Sequence, residues 1–239
     1  MKIIFPYPGG KAKILDWLLP KFPQTGRRYV EPFAGRGNVF FELFQQALFE
    51  SYHLNDLNTG EFFKALARCP LDDLPRRQED VDLNFETWQT RASLLDPVAL
   101  AIEPFATFRG KGYSSGRHDR YVYSKVSNRV AAAQNILLQA NVTWSKQDWV
   151  WLPWDQYDEH DFIYLDPPYI REEGVGYNDI DHVELCKRLL ACEGNWILSG
   201  YDNEIYRNYL GAPDDTLDRR LEMSDKLNAS ATECVWSNL

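Results

Sequence analysis

The sequence has 239 residues, of which 44% are hydrophobic and 26% charged, and this composition excludes a disordered chain and is typical of one or two folded domains. No apolar run reaches the roughly 18 to 20 residues of a membrane-spanning helix, and the four scattered cysteines suit neither a disulfide framework nor a zinc site. The net charge of −9 argues against a nucleic-acid-binding protein unless basic residues are concentrated in one segment.

The N-terminal segment carries two glycines directly before a predicted helix. In YPGGK, residues 7–11, the aromatic Tyr7 and the cation Lys11 flank a flexible turn, and the run 12–19 has a helical pattern. A helix start of this kind can bind an anionic or aromatic ligand, although Gly-Gly turns before helices are also common without any ligand. The prolines and glycines also indicate that the segment is not a signal peptide.

The next pattern is a strand, a glycine-rich turn, a helix and a second strand. We predict strands at 28–33 and 51–55, a helix at 38–49 with Asn38 as its N-cap, and a further helix at 58–68. The second strand ends at Asp56. These features together outline a βαβ unit.

The turn of this unit is the first candidate ligand site. Glycines at 35 and 37, after Phe33, allow a ligand to approach the backbone closely, and the acid at Asp56 can accept the hydroxyls of a ribose. Phe40 stands where a dinucleotide fingerprint has its third glycine, so a nucleoside-type cofactor without a pyrophosphate fits better. A tight strand–helix turn with no ligand remains the alternative.

Residues 70–124 lack the strand–helix rhythm and hold most of a basic cluster. The stretch FRGKGYSSGRHDR, residues 108–120, contains the basic residues Arg109, Lys111, Arg117 and Arg120. We predict a small inserted recognition subdomain at 70–124 between two parts, 1–69 and 125–239, of one α/β domain. The alternative is a solvated basic loop.

The second candidate site follows the apolar run 161–165, a predicted buried strand that stops at Asp166-Pro167-Pro168-Tyr169. Two prolines fix the backbone and remove its donors, so a carboxylate and a carbonyl at this sheet edge can accept the two hydrogens of an exocyclic amine. Tyr169 can stack on the ring that carries the amine. A plain strand-ending turn is the alternative.

The remaining pattern completes an α/β fold. A helix is predicted at 181–191, and strands are predicted at 196–199, 216–223 and 232–236. The four histidines show no metal-ligand spacing, so no metal is predicted. We expect a Rossmann-like sheet with helices on both faces.

The order of these motifs carries a family resemblance. PYPGGK, FAGRGNVF, LNDLN, the basic insert and DPPY resemble the Dam-like family of N6-adenine-specific DNA methyltransferases. Further matches are GY at 176–177, DHVEL at 181–185, WILSGYDN at 196–203 and ECVWSN at 233–238. The resemblance therefore extends over nearly the whole chain outside residues 70–104.

The resemblance implies a Rossmann-like methyltransferase sheet and S-adenosylmethionine as the methyl donor. It assigns cofactor contacts to one group of residues: Tyr7, Lys11, Phe33, Gly35, Gly37, Asp56, Asp148 and Asp166. It assigns catalysis to Asp166, Pro167 and Tyr169. The implied reaction transfers a methyl group to the N6 amine of adenine in a specific duplex DNA sequence, after the base has rotated out of the helix.

The implied partner is double-stranded DNA, bound by a monomer or weak dimer in the cytoplasm of a bacterium or a phage-infected host. Arg109 and Lys111 are the main candidates for DNA contacts, with Arg117 and Arg120 nearby. The family's Arg-Tyr-Asn signature is replaced here by TFRGKG at 107–112, so no recognition sequence is predicted. The alternatives are a non-catalytic relic that binds cofactor or DNA, an N4-cytosine methyltransferase and an RNA adenine methyltransferase.

Overall fold

The computed structural model describes residues 2–7, 9–117, 121–170, 180–220 and 230–239. Strands and helices alternate through most of the chain. In chain order they are α1 (Leu15–Leu18), β1 (Gly26–Glu31), α2 (Asn38–Phe44), β2 (Phe49–Asn55), α3 (Gly60–Arg68), α4 (Gln78–Leu83), α5 (Phe85–Ser93), α6 (Pro97–Ala106), α7 (Tyr123–Leu137), β3 (Val142–Ser145), β4 (Asp161–Leu165), α8 (His182–Ala191), β5 (Asn195–Tyr201), α9 (Glu204–Leu210), β6 (Asp215–Arg220) and β7 (Ser230–Ser237).

The described strands form one seven-stranded sheet in the order β3-β2-β1-β4-β5-β7-β6. The first five strands in this order are parallel, and β7 is antiparallel to both β5 and β6. The chain passes from β1 to β2 on one side, while β4 lies on the other side of β1. The point where the strand order reverses is therefore between β1 and β4, where open α/β sheets bind their ligands.

Both faces of the sheet are covered. Successive residues of β4 point to opposite faces, because side chains alternate along a strand. Phe162 and Tyr164 belong to a core that includes α2, α3 and α7, whereas Ile163 and Leu165 belong to a second core with α8 and α9. The predicted α/β fold, a Rossmann-like sheet with helices on both faces, is confirmed.

Two local predictions around α2 are wrong. The helix ends at Phe44 rather than at 49, because Ala47 has a positive φ of 52° and Phe49 already pairs with Gly26 in the sheet. Asn38 is the first residue of the helix and not its N-cap, which is Gly37. Its side chain binds the backbone of Phe5 instead.

The other predicted elements are present with somewhat different ends. The N-terminal run is divided into a 3₁₀ turn at Lys11–Lys13, helix α1 and a second 3₁₀ turn at Leu19–Lys21. The predicted strand at 161–165 has those bounds in the structure. Residues 221–223 of another predicted strand, and the matched GY at 176–177, lie outside the described residues.

The predicted insert is mainly helical, and its helices α4, α5 and α6 were not predicted. Apolar side chains from these helices, such as Val81, Trp88 and Ile102, share one hydrophobic core with α3 and α7. An isolated bridge between Thr107 and Arg117 closes the following loop. The division into a catalytic domain and a recognition subdomain remains a prediction.

Candidate active site

The loops that carry the two predicted sites lie at one edge of the sheet. Strands β2, β1 and β4 are neighbours and parallel, so their carboxyl ends meet. The glycine loop, Phe33–Gly37, follows β1, Asp56 follows β2, and Asp166 follows β4. The family resemblance assigns all of them to cofactor contacts, and the topology places them at the same edge of the sheet.

The glycine loop needs glycine at both predicted positions. Gly35 and Gly37 have φ values of 53° and 72°, which side-chain-bearing residues rarely adopt. A Cβ atom at Gly35 would lie 3.0 Å from the Tyr7 ring, and one at Gly37 would lie 3.0 Å from the Phe63 ring. The loop is therefore fitted closely against both the N-terminal segment and helix α3.

Asp56 fixes the shape of this loop through backbone hydrogen bonds. Its carboxylate accepts the N–H of Gly35 at 2.9 Å and the N–H groups of Asn58 and Thr59 at 2.8 and 2.7 Å. The Thr59 hydroxyl donates back to the Gly35 carbonyl. Asp56 thus joins the glycine loop to the start of α3.

The N-terminal segment is attached to the glycine loop by Asn38. The Asn38 side chain accepts the N–H of Phe5 at 2.9 Å and donates to the Phe5 carbonyl at 3.0 Å. Asn38 is only 6% exposed. This pair of hydrogen bonds brings Tyr7 and Lys11 to the site, and the sequence gives no signal for it beyond an asparagine after a glycine.

Three polar side chains, those of Lys11, Tyr169 and Glu233, form a cluster with Asp166. The Lys11 ammonium, 2% exposed, donates to Asp166 and to the Tyr169 hydroxyl, the latter at 2.5 Å. It also lies 3.3 Å from the Glu233 carboxylate, and Tyr169 donates its hydroxyl hydrogen to Glu233. Glu233 belongs to the C-terminal motif ECVWSN, for which the resemblance implies no role, so its place in the site was not predicted.

Burial dominates the electrostatics of this cluster. Burial raises the pKa of Asp166 above its ordinary range, the Lys11 charge opposes this, and the Glu233 charge adds to it. Burial also raises the pKa of Glu31, at the end of β1, well above its usual range, although a hydrogen bond from Tyr29 at 2.9 Å opposes the shift. This favours the neutral, protonated form of Glu31.

Ser199 attaches the Asp166 segment to β5. Its hydroxyl donates to the Leu165 carbonyl at 3.2 Å and lies 3.4 Å from the Asp166 carboxylate. The Tyr164 hydroxyl lies 2.9 Å from the same Ser199 oxygen. Asp166 is therefore held by Ser199 of β5 as well as by Lys11.

Asp148 lies next to the glycine loop. The Asn55 side chain donates to the carbonyls of Pro32 and Gln147, both at 3.0 Å, and so joins the loop after β1 to the loop after β3. The Trp149 ring packs 6.0 Å from the Phe33 ring. The Asp148 carboxylate accepts the N–H of Val150 at 3.2 Å.

The insert touches the N-terminal segment and the glycine loop. A Cβ atom at Gly110 would collide with the Pro6 carbonyl, whose carbon would be 2.7 Å away. Arg36 of the glycine loop is ion-paired with Glu103 of α6 and lies 4.4 Å from the Phe62 ring centre. The candidate site and the insert are therefore in direct contact.

The basic candidates of the insert are only partly described. Lys111 and Arg117 are exposed, and Arg117 donates to the Asp82 carbonyl at 3.4 Å. Arg120 and the side chain of Arg109 lie outside the described residues. The DNA contacts assigned to these four residues remain predictions.

No group of three or more His, Cys, Asp or Glu side chains suited to a metal ion occurs within the described residues. None of the helices in the described part of the chain is long and apolar enough to cross a membrane.

Comparison with known proteins supports the family resemblance. The family of D12 class N6 adenine-specific DNA methyltransferases matches residues 7–83, which include the N-terminal motif, the glycine loop and Asp56. The resemblance to the N6-adenine DNA methyltransferases is confirmed. The match supports the predicted enzyme class, an adenine-specific DNA methyltransferase, and S-adenosylmethionine as its methyl donor.

A relative matches a longer part of the chain. Modification methylase StsI of Streptococcus sanguinis is 27% identical over 195 residues, which are 72% of this chain and 29% of that protein. The chain therefore aligns with less than a third of the relative's length.

Solved structures also resemble the chain over most of its length. PH1948 of Pyrococcus horikoshii, a proposed RNA methyltransferase, is 8% identical with a TM-score of 0.46, and the match covers 99% of this chain and 84% of that one. YhhF of Escherichia coli, a proposed methyltransferase, is 12% identical with a TM-score of 0.40, covering 99% and 91% of the two chains.

Proposed function

We propose that this protein transfers a methyl group from S-adenosylmethionine to the N6 amine of adenine at a specific sequence in duplex DNA. The observation that carries the proposal is the meeting of Asp166 and Lys11 at the sheet edge that also holds the glycine loop and Asp56. A family match over three of these four features supports it.

The glycine loop fits a nucleoside-type cofactor. Left-handed backbone at Gly35 and Gly37 provides a surface from which side chains are excluded. In this proposal Asp56 accepts the ribose hydroxyls, and Phe33 and Asp148 border the adenine ring. When bound, S-adenosylmethionine supplies a methyl group that its sulfonium makes electrophilic.

In the proposed reaction Asp166 accepts a hydrogen of the target amine. Lys11 and Ser199 both contact Oδ1, so among the described residues Oδ2 keeps acceptor capacity. The Pro167 carbonyl supplies a second acceptor, and Tyr169 borders the ring. Two directed acceptors draw the amine towards tetrahedral geometry and concentrate its lone pair for attack.

The bonds and charges that change during methyl transfer determine what the protein must stabilise. The nitrogen lone pair would form the new N–C bond, the electrons of the broken C–S bond would stay on the sulfur of the donor, and the nitrogen would then lose one proton to solvent. Positive charge develops on the nitrogen before that release. The Asp166 carboxylate stabilises this charge, which is the kind of preorganised electrostatic effect that dominates many enzymes.

A target amine inside a duplex must leave the base stack before it can reach Asp166, at a cost of a few kcal/mol. We assign the compensating contacts to the insert, where Lys111 and Arg117 are exposed and Arg109 and Arg120 belong to the same basic stretch. The contact between Gly110 and Pro6, the residue before Tyr7, supports this assignment.

The test is methylation of unmodified duplex DNA with isotopically labelled S-adenosylmethionine, followed by mass spectrometry of the released nucleosides. We expect N6-methyladenine as the product. The isosteric Asp166→Asn variant is expected to lose at least about 100-fold in kcat, since it removes a charge aimed at the transition state, while calorimetry still detects cofactor binding. N4-methylcytosine as the sole product, transfer to RNA alone, or cofactor binding without any transfer contradicts the proposal.

A further inference from the structure

Glu233 is a buried carboxylate in the candidate site, and the family resemblance gives it no role. It lies on β7, opposite Tyr201 of β5, and its side chain is fully buried. Its Oε1 is 3.3 Å from the Lys11 ammonium and accepts the hydrogen of the Tyr169 hydroxyl. A buried carboxylate is costly unless it is paired, and here it is paired with two residues assigned to the site.

The arrangement sets the charge of the cluster. The one ammonium of Lys11 lies against two carboxylates, those of Asp166 and Glu233. Glu31, the nearby buried acid, favours its neutral form. One positive and two negative charges leave a single negative charge in excess. Without Glu233, Lys11 and Asp166 would form a neutral pair, and Asp166 would be a weaker partner for a developing positive charge.

We propose that Glu233 is a positioning residue for methyl transfer. Its carboxylate pairs with Lys11, which also pairs with Asp166, and it holds the Tyr169 hydroxyl. The net negative charge of the cluster is therefore on Asp166, the residue that faces the target amine in the proposed reaction. This inference rests on the proposed function. Glu233 acts through Lys11 and Tyr169.

Tyr169 provides the second part of the effect. Its hydroxyl bonds both Lys11 and Glu233, and its ring packs edge-on against Tyr201 with the ring centres 4.4 Å apart. The orientation of this ring, which borders the target base in the proposed reaction, is therefore fixed by groups on β5 and β7. Loss of Glu233 removes one of these restraints.

The charge of Glu233 also affects the protonation of Asp166. The titratable groups around Asp166 come from several elements: Lys11, Glu31, Tyr164, Tyr169, Tyr206 and Glu233. The Glu233 charge raises the pKa of Asp166, together with burial and against Lys11. Removing that charge therefore lowers the pKa of Asp166, so that the carboxylate stays ionised to a lower pH.

The experiment compares Glu233→Gln with Asp161→Asn. Asp161 is also a fully buried, ion-paired carboxylate, but it contacts Arg27 and Arg28 at the opposite end of β4. For E233Q we expect kcat to fall at least about tenfold and the acid limb of the pH–rate profile to move to lower pH. For D161N we expect both to match the wild type, whatever its loss of stability.

A measurement without turnover keeps the two proposals separate. In protein labelled with ¹³C at aspartate carboxyls, with the Asp166 signal assigned from D166N, the titration midpoint of Asp166 is expected to be lower in E233Q than in the wild type. Calorimetry is expected to show cofactor affinity within about twofold of wild type for E233Q, since only the transition state needs the added charge. If the wild type transfers no methyl group, the proposed function fails, and the titration still tests Glu233.

A folded E233Q with wild-type kcat and an unchanged Asp166 midpoint overturns the inference. If E233Q does not fold, Glu233→Asp replaces it, because the shorter acid keeps its charge but moves away from Lys11 and Tyr169. We expect its kcat to lie below that of the wild type, and equal kcat values for the two proteins would equally overturn the inference.

Discussion

The attachment of the N-terminal segment to the glycine loop can be tested by replacing Asn38 with alanine. Both polar atoms of the Asn38 amide bind the Phe5 backbone, at 2.9 and 3.0 Å, and the pair is buried. Alanine removes both partners at once. The Phe5 N–H and carbonyl then lose their hydrogen bonds in a place where water has little access.

The expected loss is large because both groups are left unsatisfied. Each buried backbone group without a partner costs about 1 to 3 kcal/mol, so Asn38→Ala should lower the free energy of unfolding by about 2 to 6 kcal/mol. Asn141→Ala is the matched control, since that side chain makes one exposed bond, to the Glu50 carbonyl at 2.9 Å. A typical hydrogen bond contributes about 0.5 to 1.5 kcal/mol, and we expect no more than this from the control.

Urea denaturation of the two variants and the wild type measures these losses. Isothermal calorimetry with S-adenosylmethionine measures the second consequence, a weaker affinity in Asn38→Ala alone, because Tyr7 and Lys11 are brought to the site through this attachment. Equal losses of stability in the two variants, or an unchanged cofactor affinity in Asn38→Ala, would show that the segment is held by other contacts and refute the reasoning.

Two further predictions concern the insert. Gly110→Ala forces a Cβ atom against the Pro6 carbonyl at a φ of 68° and should lower the free energy of unfolding by about 2 to 5 kcal/mol. The control is Gly9→Ala, at a φ of 78° with no atom within 4 Å, which should lower it by only about 1 to 2 kcal/mol. Equal losses of stability in the two variants would exclude the close contact between Gly110 and Pro6. Lys111→Ala should weaken DNA binding uniformly and reduce the slope of log affinity against log salt by about 0.9, and an unchanged slope would exclude a phosphate contact.

The sequence was most informative where the residue types themselves determine the backbone conformation. The strand Asp161–Leu165 has its predicted bounds, because an apolar run is stopped by two prolines that can neither donate in a sheet nor continue a helix. The glycines at 35 and 37 were correctly placed in a turn for a similar reason, since their positive φ values favour glycine.

Predictions failed where distant residues decide the structure. Asn38 has the chemistry of an N-cap, but the Phe5 backbone, 33 positions away, takes both of its polar atoms. Glu233 pairs with Lys11 across most of the chain, and periodicity or spacing contain no information about such a contact. The helices of the insert were missed because their buried faces complete a core shared with α3 and α7.

Asp56 shows why the fold and the candidate site cannot be separated residue by residue. As the acid after β2 it was predicted to bind ribose, yet in the structure three backbone N–H groups already bind its two oxygens. A carboxylate has about four acceptor sites, so capacity for a hydroxyl remains. The same bonds hold Gly35 in its left-handed conformation before any ligand arrives, which lowers the entropy cost of binding. A loss of cofactor affinity on replacing Asp56 would therefore combine a lost contact to the cofactor with a glycine loop that is no longer held in place. Replacing Asn38 instead releases the N-terminal segment that packs on this loop, and it leaves the Asp56 carboxylate and its hydrogen bonds in place.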